Sequence, residues 1–106
     1  MIKPITDKAE VSIDFPNKHY MGSFTRHSAF DVKADAEGIH IHLDHRSGEK
    51  RKVGFHVHYF LLADMLKAMA EAIESVDDLD PLHQQRLAKA SEQLREALAG
   101  ANEKES

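Results

Sequence analysis

Between Gly38 and Tyr59 apolar and polar residues alternate in two runs, and that period leaves few folds open. Successive side chains of an extended chain point to opposite faces. Ile39, Ile41 and Leu43 therefore share one side, and His40, His42 and Asp44 the other. The second run sets Phe55, Val57 and Tyr59 against His56 and His58. A polar, Gly-containing turn over Ser47, Gly48, Glu49 and Lys50 joins them. A hairpin centred on Glu49 places His40 across from His58 and His42 across from His56. Four imidazoles then share one face, backed by an apolar face that needs cover.

The same period extends upstream. Val11, Ile13 and Phe15 alternate with Glu10, Ser12 and Asp14, and Pro16-Asn17 closes that strand at a turn. Lys18 to Thr25 reads as the returning strand, with Gly22 marking a weak point or bulge. Ser28 to Asp35 alternates again, and Asp35-Ala36-Glu37-Gly38 turns into the histidine hairpin. Met1 to Lys8 reads as a loose lead-in. The expectation is an antiparallel meander of four or five strands over residues 9–59, with one apolar and one wet face.

Downstream the period changes to that of a helix. Leu62, Met65, Leu66, Met69, Ile73 and Val76 form one stripe over residues 60–76, and this first helix is expected to pack on one face of the sheet. Asp80 is a good N-cap and Pro81 sits at the favoured first helical position, so a second helix is expected over 81–99, stopped by Gly100. Its stripe of Leu82, Leu87, Ala90, Leu94, Ala97 and Leu98 is thin, which suits one neighbour: the first helix or a second subunit. Leu87, Leu94 and Leu98 are the candidate interface. The fold class is α+β, a single domain over 1–100 with a disordered tail at 101–106.

A chain of 106 residues suffices for one domain without staples. It has no cysteine, which excludes disulfides, thiolate metal sites and thiol catalysis, and fits a reducing cytoplasm. No apolar run follows Lys3, so no signal peptide is expected, and no stretch is apolar enough to span a bilayer. The net charge of −4 hides a split. Residues 1–58 carry nine Lys and Arg, eight Asp and Glu and seven of the eight histidines, whereas residues 59–106 carry five basic and ten acidic residues. An acidic second half argues against nucleic acid as the main partner. Arg46, Lys50, Arg51 and Lys52 form the one basic knot and read as a solvated turn.

Two His-x-His pairs on adjacent strands set imidazoles about 7 Å apart along a strand and about 5 Å across the ladder. His40, His42, His56 and His58 are thus candidate metal ligands, and nitrogen donors without thiolates favour Zn, Ni or Cu(II) over Mg or Ca. Asp31, Asp35 and Asp44 are placed to orient the rings. The plainer reading is a polar sheet face, solvated or covered by a partner. Other chemistry fares worse. Gly22 to Ser28 contains Ser, His and Arg but lacks the glycine spacing of a nucleophile elbow. No glycine-rich turn opens a helix, and Asp77, Asp78 and Asp80 are explained by a helix start. The functional expectation is a small non-catalytic accessory protein working through a protein partner or as a homodimer, without a cofactor. The alternative is a transition-metal-binding protein, with a metal-assisted enzyme ranking third.

Overall fold

A computed structural model describes residues 2–45 and 50–105, the last four through their backbone alone. Six strands precede two helices: β1 (Lys3–Pro4), β2 (Ala9–Phe15), β3 (Lys18–Phe24), β4 (Ser28–Ala34), β5 (Gly38–His45), β6 (Arg51–His58), α1 (Tyr59–Glu74) and α2 (Pro81–Glu105). The α+β class and antiparallel pairing follow the alternation, but the strands divide into a four-stranded sheet, β1-β4-β5-β6, and a separate β2-β3 ribbon. The lead-in contributes β1, which pairs Lys3 with Phe30 and Pro4 with Ala29. Two residues are too few to show a period.

The ribbon is closed by Pro16-Asn17, with Phe15 paired to Lys18, and proline pre-sets the first central torsion of such a turn. Phe15 and Tyr20 meet diagonally across it, edge to face, with centroids 6.2 Å apart. Gly22 makes no bulge: it pairs in register with Val11.

The central hairpin departs from the expected register. His40 pairs with His56 and His42 with Gly54, while His58 lies opposite Gly38. Each β5 residue thus pairs two positions earlier on β6 than a hairpin centred on Glu49 requires. An even slip leaves every side chain on its expected face, so the imidazole face survives while its rectangle does not. Two glycines face close neighbours in this register. A Cβ on Gly38 would lie 2.3 Å from the Val57 carbonyl oxygen, and one on Gly54 would lie 2.9 Å from Cδ2 of His42. At Gly38 the neighbour is backbone and leaves no room, whereas at Gly54 it is a side chain that can move. The expected turn at Ser47–Glu49, with Arg46, lies outside the described residues.

The helix signals hold at the starts and fail at the end. Asp80 caps α2, accepting from the Leu82 N–H at 2.8 Å, with Pro81 as first helical residue. α2 then runs through Gly100 to Glu105, so the expected stop and disordered tail give way to helix. Gly100 lacks the positive φ of a helix-terminating glycine. α1 begins directly at the end of β6 and contacts β5 and β6. Its first residue anchors it: the Tyr59 hydroxyl donates to the Asp35 carbonyl at 2.6 Å, and the Tyr59 N–H to the Glu37 carbonyl at 3.4 Å.

Chain contacts define two compact units, Met1–Lys67 and Ala68–Ser106. In the first, burial centres on Phe24, Ser28, Ala29 and Gly38. Phe24 is 3% exposed, whereas Val32 and Phe55 on the apolar face of the sheet stay exposed. In the second, no described residue is buried.

Candidate metal centre

The turn between β4 and β5 is built around Asp35. Its Oδ1 accepts from the backbone N–H groups of Glu37 at 2.8 Å and Gly38 at 3.0 Å, the Asx-turn arrangement that favours aspartate here. Its Oδ2 lies 2.8 Å from Nε2 of His40. The hydrogen bond from His40 and the two backbone donors lower the Asp35 carboxyl from its ordinary value of 3.8 to about 2. The carboxylate is therefore anionic wherever imidazole is neutral.

A folded value below the unfolded one means that ionisation of Asp35 stabilises the fold above about pH 4, and that this contribution is lost as pH falls through about 2. In chelator-treated protein, urea midpoints measured from pH 5 to pH 2 are expected to fall. Asp35→Asn is expected to start lower and fall less over that window. Parallel curves for the two proteins would remove Asp35 from the account.

His40 stacks on His56, its ladder partner, with ring centroids 3.8 Å apart and planes 10° from parallel. His56 meets His58 at 4.8 Å with the planes tilted by 51°. Two trios bring potential ligand atoms within 4.8 Å of one another: Asp35, His40 and His56, and Glu37, His56 and His58. Both are exposed or half-exposed, so this is a surface group able to hold a metal ion, not an enclosed pocket.

Of the four histidines named from sequence, the structure brings together His40, His56 and His58. His42 is set apart over Gly54, with Asp31 as its partner on β4. Asp35 was legible as a residue that could orient a ring. Glu37 was missed, although its place in the turn beside Gly38 was a usable signal. Leu87, Leu94 and Leu98 are all exposed.

Two further contacts escaped the sequence. Ser28 Oγ lies 3.1 Å from Nδ1 of His45. Ser28 is only 4% exposed, so the pair satisfies a buried hydroxyl and does not present a nucleophile. Asp14 and His19 form an exposed pair across the β2-β3 ribbon. An open groove of about 280 Å³ lies among Val11, Ile13, Tyr20, Phe24, Arg51 and Val53. No described helix is long and apolar enough to cross a membrane. Comparison of the chain with protein-family models, with curated proteins and with solved structures gives no match in any of the three.

Proposed function

We propose that this chain is a non-catalytic binding protein that works through protein contact and associates with itself, as a homodimer or a larger assembly, through α2. The observation that carries the reading is the second unit. Residues 68–101 include Met69, Ile73, Val76, Leu82, Leu87, Leu94 and Leu98, all exposed, and no buried residue. Helices in proteins draw most of their stability from packing an apolar face. A unit below about 40 residues ordinarily needs disulfides, metal or oligomerisation, and cysteine is absent here. On α2, Leu87, Ala90, Leu94 and Ala97 recur at alternating steps of three and four, the spacing of a helix–helix seam, and the alanines permit close approach. A second copy of the same stripe is a self-complementary cover.

Light scattering after size exclusion tests this. The expected mass is at least twice the 12.0 kDa of the chain. A monomer at micromolar concentration with intact helices would refute it.

A second reading rests on the histidine cluster: a divalent transition-metal-binding protein, with two imidazoles and a carboxylate suiting Zn, Ni or Cu(II) better than Mg or Ca. The two readings are compatible.

A further inference from the structure

The two trios share His56, so one ion at a time can use them. We propose that the ligand set is Glu37, His56 and His58, a two-imidazole, one-carboxylate site for a divalent transition metal, and that Asp35 and His40 are positioning residues. This rests on the metal-binding reading above and goes further by choosing between the trios.

Ring geometry makes the choice. Ligand lone pairs of imidazole lie in the ring plane. His40 and His56 are stacked within 10° of parallel, so their lone pairs run side by side and converge on a common ion only if the stack is broken. His56 and His58 are tilted by 51°, which lets their planes intersect at a shared point. Hydrogen bonding agrees. Asp35 already accepts from two backbone N–H groups and pairs with His40, so recruiting it or His40 disturbs bonds the turn depends on. Among the described residues, the side chains of Glu37, His56 and His58 make no hydrogen bond, so binding there breaks none. Donors held at about 2.0–2.1 Å in a tetrahedral site stand about 3.3 Å apart. Closing from within 4.8 Å asks each pair of ligand atoms to approach by no more than about 1.5 Å.

The backbone supports the arrangement. The Glu37 carbonyl accepts from Tyr59 N–H, and Gly38 pairs with His58, which brings the turn against the end of β6. Asp35 holds His40, and His40 lies flat against His56, fixing the plane of a ligand through contacts that do not touch the ion. Three protein ligands leave at least one position for water or a small anion.

The test is calorimetric titration of untagged, chelator-treated full chain with Zn²⁺ and, separately, Mg²⁺, with the fold of each variant checked by circular dichroism. One Zn²⁺ per chain and no Mg²⁺ binding are expected. Glu37→Gln and His58→Ala are expected to weaken Zn²⁺ binding by about 100-fold or more, and Asp35→Asn and His40→Ala by about tenfold, the effect usual for residues that orient a ligand. His40→Phe keeps a flat ring on His56 but loses the bond to Asp35, so it should weaken binding no more than Asp35→Asn does, whereas His42→Ala should change nothing. If wild type binds Zn²⁺ but Glu37→Gln and His58→Ala are silent, or His40→Phe binds as poorly as Glu37→Gln, the ligand assignment is overturned and the metal reading stands. If wild type binds no Zn²⁺, or binds Mg²⁺ equally, both fall.

Discussion

Leu94→Glu is expected to convert the assembled protein to monomer and to lower its helical content. Leu94 lies near the middle of the α2 stripe, between Leu87 and Leu98, and is 46% exposed on a single chain. In a two-fold seam the substitution occurs twice. Each copy forfeits burial of the roughly half of the leucine that is still exposed, about 1 kcal/mol, and adds the cost of desolvating a carboxylate. A total of about 3 kcal/mol or more corresponds to at least about a hundredfold weaker association. Sedimentation velocity across a concentration series reads the change directly. Glu92→Ala, also on α2 but off the stripe, should leave association intact. If Leu94→Glu still assembles like wild type, α2 is not the seam, and the exposed sheet face with Val32 and Phe55 becomes the next surface to probe.

Gly38→Ala is expected to destabilise the first unit by about 3 kcal/mol, the upper part of the range for overpacking a filled site. The added methyl would meet the Val57 carbonyl oxygen at 2.3 Å, with the Val57 carbonyl carbon and the His58 Cα both at 2.9 Å. All three belong to backbone in the β5-β6 ladder and cannot swing aside. Relief requires β5 and β6 to part where Gly38 also donates to Asp35 and where α1 begins. Gly54→Ala is the matched control. Its methyl meets only the His42 ring, at 2.9 Å, and that ring can rotate away, so a loss below about 1 kcal/mol is expected. Urea unfolding of the three proteins provides the comparison. Equal midpoints for Gly38→Ala and wild type would show that the close approach at β5-β6 is not a constraint.

The contrast between these glycines shows why much of the architecture could be read early and the site only partly. Alternation in residues 9–15, 28–34, 39–45 and 53–58 reports which side chains share a face, and each of these segments is a strand. It does not report register, because a slip of two residues satisfies the same alternation. His42 was therefore grouped with rings that it does not meet, and Glu37 was overlooked. The close approach at Gly38 exists only once the two strands lie side by side, so the sequence alone does not display it.

The helices divide in the same way. Asp80 and Pro81 mark the start of α2 because capping is local chemistry between residues two or three apart. The end of α2 was not legible, since a glycine stops a helix only where the backbone turns to positive φ, and Gly100 stays helical.

The sequence by itself determined the strand and helix periods, the polar and apolar faces and the start of α2, since each depends on neighbours along the chain. Tertiary structure alone decided that His40 stacks on His56, that Glu37 joins His56 and His58, and that the α2 leucines stay exposed. Those outcomes depend on how strands slide and on which surfaces find a cover, and separation along the chain carries neither.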